Sequence, residues 1–276
     1  MGKKTAPLVL LAVLLLAGCR AGGEASASST PPEGATASVQ SEAPPVPSAP
    51  GTPEELLAQQ TIDDFHKAFL VDTGGRMGTL LVTTELVPYE EPVELLYYLH
   101  VSIWDPANPS QPIQMQEINW ETVHYGEHQV LDVNFDGYQD FTYLYARGIQ
   151  VEMYHCMLWN EELGLFQELP VYAEIPSPRV DPETETITGW SRSSGAGDGD
   201  TPVYRWVDGE LVCVRFIRTF LKDWSDYDSP MVLTVKDRID GELTEVYRVE
   251  FPPESAEYLT EQMRWEDLSY HGEEEE

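Results

Sequence analysis

Basic residues are scarce in this sequence. Lys and Arg together number 16 against 48 Asp and Glu, which gives a formal net charge of −32. Because like charges repel, a chain of this kind is a poor direct ligand for nucleic acid, anionic lipid or anionic wall polymers. The same negative charge favours the binding of divalent cations or of a basic protein partner.

Long apolar runs are scarce as well. The apolar run at residues 8–16 follows Lys3 and Lys4 and is too short to span a bilayer. This pattern predicts a signal peptide over residues 1–18. Its removal takes away two lysines and leaves 14 basic residues against 48 acidic ones, a net charge of about −34.

The segment Leu16-Ala17-Gly18-Cys19 resembles the bacterial lipobox. The resemblance implies that Cys19 is lipidated and becomes the first residue of the mature chain. Several acyl chains on one cysteine hold a protein at a membrane more firmly than one chain does. We therefore expect a lipoprotein at the extracytoplasmic face of a bacterial membrane. An ordinary cleaved signal with a chance cysteine is the alternative.

Cysteine is rare too, with three in the chain. After lipidation of Cys19, Cys156 and Cys213 remain, each in a strand-like run. Outside the cytoplasm two such residues can pair. A cross-strand disulfide and two buried free thiols both stay open.

Aromatic residues are absent from residues 20–51, where Pro, Gly, Ala, Ser, Thr and Glu dominate. Such a segment cannot bury enough apolar surface to fold. We expect residues 19–51 to be a disordered tether reaching up to ~100 Å from the membrane. Residues 52–276 then form one domain that ends in the acidic tail "GEEEE".

The domain shows two kinds of periodicity. Thr52, Pro53 and Glu55 form a capping-box start, and apolar residues at helical spacing predict a helix that stops at Gly74-Gly75. Beyond it the period is two. A second helix is predicted at residues 254–265. Strands are predicted at 93–103, 113–118, 141–146, 154–159, 186–191, 203–207, 211–220, 232–239 and 243–249.

Many short strands separated by turns indicate an all-β fold. The last two strands meet at Asp240-Gly241, a favoured hairpin turn. We expect an antiparallel β-sandwich or barrel with a short helix near each end of the domain.

The stretch "LDVNFDGYQDFTYLY" carries short oxygen-bearing side chains at alternating positions. Asp132, Asn134, Asp136 and Asp140 are spaced as calcium ligands, and the carbonyl of Tyr138 and water complete the set. Position 12 of an EF-hand would be Tyr143, so the pattern matches a shorter loop between strands. Three close carboxylates favour a bound cation. The alternative is a metal-free turn with solvated carboxylates.

Further segments extend this pattern: "YHCMLWNEELGLF" and "EIPSPRVDPETETITGWSRSSGAGDGDTPVYRWVDGELV". With the acidic loop they resemble a family of calcium-associated bacterial envelope lipoproteins, over residues 95–215. That family includes an immunity protein against a lysozyme-like effector of an antibacterial type IV secretion system. The resemblance implies a fold like that of periplasmic lysozyme inhibitors, one Ca²⁺ at the acidic loop, and inhibition by a loop that occludes the hydrolase cleft.

The segment "SRSSGAGDGD" is the candidate contact with such a partner. It is polar, glycine-rich and acidic between two strand-like runs, and it offers Asp198 and Asp200 to a cleft. A disordered hairpin tip, or a second cation at these two carboxylates, are the alternatives. The candidate residues are Ser191, Ser193, Ser194, Gly195, Gly197, Asp198 and Asp200.

No residues form a catalytic constellation, and we do not expect an enzyme. His124 and His128 lie in a context that contains Gly126 and runs into a strand, so they are expected to be surface residues rather than zinc ligands. His155 and Cys156 are neighbours on a strand and should point to opposite faces. Most of the seven tryptophans are expected to be core or strand-pair residues, although some could form a sugar platform.

The sequence thus favours a calcium-stabilised lipoprotein that binds a protein partner, with a basic peptidoglycan hydrolase as the candidate. The alternative is a structural or adhesive module that binds cell-wall glycan.

Overall fold

Antiparallel strands dominate the chain, as the sequence predicted. The computed structural model describes residues 51–88, 97–120, 127–192, 198–226 and 228–272. These residues belong to one compact unit, Val46–Glu276. The predicted signal peptide and nearly all of the predicted tether lie outside the described residues, as does most of the acidic tail.

Three sheets follow one another along the chain, and their strands are antiparallel. The first sheet contains β1 (His66–Asp72), β2 (Thr79–Pro88), β3 (Tyr97–Trp104) and β4 (Gln114–Trp120) in that order. The second contains β5 (His128–Leu131), β6 (Asp140–Arg147), β7 (Glu152–Asn160) and β8 (Leu165–Glu168).

The third sheet has seven strands, which are β9 (Arg179–Asp181), β10 (Thr186–Thr188), β11 (Ser191–Arg192), β12 (Gly199–Val207), β13 (Glu210–Leu221), β14 (Met231–Ile239) and β15 (Glu242–Phe251). Their order across the sheet is β15-β14-β13-β12-β10-β9, and β11 is paired to β12. Neighbouring strands are therefore mostly consecutive, which requires only short connections.

The first helix is much shorter than predicted. Helix α1 spans Pro53–Ala58, and β1 occupies the chain where the sequence predicted further helical turns. Ile62 and Phe65, which were to line the helix, are exposed. Phe69 and Val71 are buried and lie two residues apart, so this part of the chain follows the period of a strand. Pairing of the whole of β1 with Thr79–Glu85 of β2 overrides the local helical pattern.

The helix ends agree better with the sequence. The predicted capping box is present, because the Thr52 side chain accepts from the Glu55 backbone N–H and the Glu55 side chain accepts from the Thr52 N–H. Helix α2 (Glu257–Glu266) starts three residues later than predicted. Its Trp265 is buried against the third sheet.

Packing between layers makes the sandwich. The first and second sheets enclose a core that includes Val82, Leu99 and Phe141. The other face of the second sheet packs against a 3-10 helix, Pro170–Glu174, and the β9–β10 end of the third sheet, around Ile187. A third cluster fills the space between α2 and the third sheet. The strands that carry the acidic turns, β6 and β14, each contribute buried residues to these clusters.

Candidate calcium loop and partner surfaces

The acidic loop joins β5 to β6 and folds back on its own backbone. One oxygen of Asp132 accepts from the N–H of Asp136 at 3.2 Å, and the other accepts from Gly137 at 2.8 Å. Asp136 in turn accepts from the N–H of Tyr138 at 2.9 Å. Phe135 and Gly137 have positive φ values of 59° and 90°, which gives the loop its sharp bend.

Three of the predicted ligands are brought together in this loop. The backbone N–H of Asp136 lies 3.2 Å from an Asp132 oxygen and 3.4 Å from the Asn134 carbonyl oxygen. The Asn134 amide donates to Asp136 Oδ2 at 2.7 Å. Side-chain oxygens of all three residues therefore gather at the exposed side of one turn.

The fourth predicted side-chain ligand, Asp140, faces the other way. It is 0% exposed. Its Oδ2 accepts from the Val133 N–H and its Oδ1 accepts from the Trp159 N–H, both at 2.8 Å. Burial raises the pKa of Asp140 to about 7, and repulsion from Asp136 and Asp132 acts in the same direction, while the two N–H donors oppose the shift.

The donor set of the loop fits calcium in kind. Ca²⁺ takes six to eight oxygens, mostly from carboxylates, carbonyls and water. Asp132, Asn134 and Asp136 supply such oxygens, and each carboxylate oxygen of Asp140 retains a second lone pair. In the described ranges, no three His, Cys, Asp or Glu side chains are arranged to hold a metal ion. The Ca²⁺ site, with Tyr138 as its carbonyl ligand, therefore stays a prediction.

The candidate partner loop is partly a regular hairpin. Ser191 on β11 lies directly opposite Asp200 on β12. Gly199 and Asp200 are paired on their other side with β13, so they lie within the sheet rather than in a loop. The remaining candidates Ser193, Ser194, Gly195 and Gly197 lie outside the described residues.

The two carboxylates of this segment are not both presented to solvent, contrary to the expectation. Asp198 is 3% exposed and Asp200 is half-buried. The cause is the double strand pairing that begins at Gly199. Burial raises the pKa of Asp200, and Arg218, whose Nε lies 3.5 Å from its Oδ1, opposes that shift. Arg218 is thus a cationic neighbour of Asp200, and the second cation considered for Asp198 and Asp200 stays an alternative.

A different hairpin is the exposed one. We call residues 238–246 the arm. The pairing of β13 with β14 ends where Arg215 faces Asp237. The pairing of β14 with β15 continues to Ile239, which faces Glu242. All nine residues of the arm are exposed, so the arm is a two-stranded projection from the third sheet.

The surface of the arm is acidic and apolar. Its turn is the predicted Asp240-Gly241, and both residues have positive φ, 51° and 88°. Such turns match the twist of the flanking strands and fix their register. The exposed apolar side chains are Ile239, Leu243 and Val246. The sequence showed the turn but not the projection, because the end of the β13 pairing depends on register.

A buried cation holds the base of the arm. Arg215 is 2% exposed, and its Nε and Nη2 lie 2.6 and 2.8 Å from the two carboxylate oxygens of Asp237. Its Nη1 donates to the backbone carbonyls of Trp265, Asp267 and Tyr270 at 3.0–3.2 Å. One side chain thus ties the position where the pairing of β13 with β14 ends to the end of α2.

The cysteines and histidines have structural surroundings. Cys156 is buried in the second cluster and Cys213 is partly buried on β13, and both are free thiols. Burial raises the pKa of both. His155 faces the opposite side from Cys156, where its Nδ1 lies 3.0 Å from a Glu168 carboxylate oxygen. His128 stacks on a phenylalanine ring at 3.9 Å between ring centres; His124 lies outside the described residues.

Tryptophans divide into buried and exposed positions. Trp159 and Trp265 are buried in clusters, as most tryptophans were expected to be. Trp190 and Trp224 are exposed. These two exposed indole rings lie near the third sheet, so the alternative of a sugar-binding platform stays open.

The predicted lipidation site, Cys19, lies outside the described residues. Among the helices of the described ranges, none has the length and apolar character that a membrane crossing needs.

No model of a known protein family matches the chain, and no curated protein matches it. Among solved structures, the chain is similar to a Xanthomonas protein described as type IV secretion system related. The identity is 14% and the TM-score 0.45, over 65% of this chain and 93% of that one.

Proposed function

We propose that this chain is an extracytoplasmic lipoprotein, anchored through Cys19, whose β domain binds a basic protein partner. The partner we propose is a peptidoglycan hydrolase, which the domain inhibits by occlusion and without turnover. The observation that carries this proposal is the arm, a strand-paired hairpin with an exposed acidic and apolar surface.

The ordered pairing of its two strands supports an inhibitory role for the arm. Its strands are paired up to Ile239 and Glu242, and Arg238 Nε donates to the Cys213 carbonyl at 2.8 Å. A segment that is already ordered loses little conformational entropy on binding. The arm can therefore enter a cleft without first having to fold.

Charge supports a basic partner. The net charge of −32 attracts cationic proteins from a distance and speeds their encounter. Asp240 and Glu242 at the tip would face cationic groups of the partner, while Ile239 and Leu243 would bury apolar surface. This combination resembles the centre of a specific interface, where apolar contacts are framed by polar groups.

Calcium has a structural part in this proposal. Ca²⁺ at Asp132, Asn134, Asp136, Tyr138 and Asp140 would offset the repulsion among the carboxylates of the loop. It would hold the β5–β6 connection in the shape needed for the sandwich. The resemblance of residues 95–215 to calcium-associated envelope lipoproteins supports the same assignment.

A second candidate function is a structural or adhesive module that binds cell-wall glycan. The observation in its favour is the exposure of Trp190 and Trp224. Aromatic faces of this kind can stack on sugar rings. Such a module would bind purified sacculi without any hydrolase being present.

The test is a wall-lysis assay. The full-length chain, purified in detergent, is added to sacculi that are being digested by the secreted hydrolases of the same organism, in calcium and in chelator. We expect slower lysis that reaches a limit at one inhibitor per hydrolase and weakens as salt is raised.

The same preparation is sedimented with sacculi alone. Unchanged lysis together with sedimentation would replace the inhibitor proposal by the glycan-binding one. Release of wall fragments by the chain itself would contradict both proposals, because it would show turnover.

A further inference from the structure

A groove of about 360 Å³ crosses the face of the third sheet that points away from α2. Side chains of β13, β14 and β15 form it, together with the segment that follows β13. It is distinct from the arm tip, which lies beyond the last paired residue of β13. The side chains used below are Phe216, Arg218, Phe220, Trp224, Lys236 and Arg248.

Three cationic side chains and one carboxylate, Glu245, line this groove, so its balance is positive although the chain is strongly acidic. Arg218, Lys236 and Arg248 are all exposed. In the described part of the chain, Arg218 and Arg248 each have one carboxylate contact, and both contacts are long. Arg218 lies 3.5 Å from Asp200, and Arg248 lies 3.8 Å from Glu245. Both guanidinium groups therefore keep donors for another carboxylate. Distant acidic residues are screened, since the Debye length is about 8 Å at physiological salt.

Aromatic rings form the floor beneath these cations. The guanidinium carbons of Arg218 and Arg248 each lie 5.8 Å from the centre of the Phe220 ring. Phe216 is partly exposed beside it, and Trp224 is 54% exposed at the rim. Arginine held over an aromatic ring keeps its planar fork free for a carboxylate. Aromatic residues and arginine are also the residue types enriched at protein interfaces.

The groove lies beside an edge of the third sheet. Among the residues that the structure describes, β15 is an outermost strand of this sheet and pairs with β14 alone. An extended peptide that pairs with such an edge places alternate side chains over one face of the sheet. On this face Arg248 lies on β15 itself, and the row across the sheet runs from it through Thr234 on β14 to Arg218 on β13.

From these observations we propose that the groove binds an acidic, extended peptide segment of a partner protein. The backbone of the peptide pairs with the edge of β15, and its carboxylates are held by Arg248 and Arg218, while apolar side chains cover Phe220 and Trp224. This partner has the opposite charge to the one proposed for the arm. The inference does not depend on hydrolase inhibition.

The test is a binding titration with the full-length chain. The probe is the eight-residue peptide Glu-Thr-Val-Thr-Glu-Thr-Val-Thr, in which Glu and Val follow one another on the same face of a strand; it is labelled at one end with a neutral dye and followed by fluorescence anisotropy. A matched peptide with Lys in place of Glu has the same length and the same Thr and Val positions. Oligogalacturonate serves as the anionic saccharide, and a chain ending at Gly272 removes the acidic tail as a competitor.

We expect the Glu–Val peptide to bind and the Lys–Val peptide not to bind. The double variant Arg218→Gln/Arg248→Gln should weaken binding at least tenfold. The matched control Arg179→Gln/Arg192→Gln, at two exposed arginines outside the groove, should change it less than twofold. Trp224→Ala, at an exposed rim position, provides a second variant if the double variant fails to fold.

Equal binding of the two peptides, or full binding by both groove variants, would overturn the proposal. Tighter binding of oligogalacturonate that displaces the peptide would overturn it in favour of an anionic glycan. Binding that requires removal of residues 273–276 would assign the groove to the acidic tail of the chain itself. Failure of the wall-lysis assay would leave these outcomes unchanged.

Discussion

The acidic loop at residues 132–140 and the arm at residues 238–246 are both acidic turns anchored at the base by a buried charge. The anchor of the loop is Asp140, an anion whose hydrogen-bond partners are two backbone N–H groups. The anchor of the arm is Arg215, a cation paired with Asp237. Asp140 lies near the further carboxylates of Asp132 and Asp136. Arg215, in contrast, is already paired with a carboxylate of opposite charge.

Because of this difference, a bound cation would stabilise the acidic loop but not the arm. Burial and the neighbouring Asp132 and Asp136 raise the pKa of Asp140, so its charge is costly in the folded chain. Arg215 is satisfied by a carboxylate and three carbonyls. We therefore expect calcium to stabilise the loop and to leave the arm unchanged.

The largest effect is expected from breaking the anchor of the arm. Arg215→Met leaves Asp237 and three backbone carbonyls without their buried donor, and removing one member of a buried pair costs about 3–5 kcal/mol. Denaturant unfolding with and without calcium measures this. Arg205→Met, at an exposed arginine, should change stability by less than about 0.5 kcal/mol. Equal losses in the two variants would contradict the role of Arg215.

Removing the anchor of the loop should cost somewhat less. Asp140→Ala leaves the buried N–H groups of Val133 and Trp159 without acceptors, at about 1–3 kcal/mol for each unsatisfied group. Because the substitution also removes a carboxylate whose burial is costly, the expected net loss of unfolding free energy lies at the lower end of the sum, roughly 2–4 kcal/mol. Hydrogen exchange at these two amides should rise with it. Unchanged protection of both amides would rule out Asp140 as the anchor.

The pH dependence of stability in chelator provides a gentler test. The folded pKa of Asp140 is about 7, above its ordinary value of 3.8. Between these values the folded chain holds a proton that the unfolded chain has lost, so stability falls as pH rises from about 4 to about 7. The slope from this group is at most about 1.4 kcal/mol per pH unit. Asp140→Asn should lack this contribution; an identical slope in the variant would exclude it.

A smaller effect is expected at the rim of the loop. Asp136→Ala should lower the free energy of unfolding in millimolar calcium by about 1 kcal/mol. It should also abolish the rise in thermal midpoint that calcium causes. Asp64→Ala removes the same charge at an exposed position elsewhere and should keep that shift. An undiminished calcium response in Asp136→Ala would remove the site from the account.

Local patterns predicted much of this fold. The alternation in β3, the Asp240-Gly241 turn and the Thr52 cap are each decided within a few residues, and the structure confirms them. β1 was predicted as helix because Ile62, Phe65 and Phe69 have helical spacing. Its strand conformation depends on pairing with β2, which no local pattern contains.

The site was predicted less completely, for a related reason. The spacing of Asp132, Asn134 and Asp136 identified an acidic turn, but the inward orientation of Asp140 depends on the N–H of Trp159, 19 residues away. Asp198 was expected in a loop because it follows glycines, yet the chain there enters a strand paired on both sides. The arm projects because the pairing of β13 stops at Asp237, a matter of register.

Inhibition by the arm is the central claim, and one comparison tests it most directly. The wall-lysis assay is run with Ile239→Ser/Leu243→Ser and with Ile149→Ser/Leu163→Ser, which makes the same exchanges at exposed positions outside the arm. Both variants should keep the stability of the parent within about 0.5 kcal/mol. The account predicts that the arm variant loses inhibition and the control retains it; retained inhibition in the arm variant would contradict it.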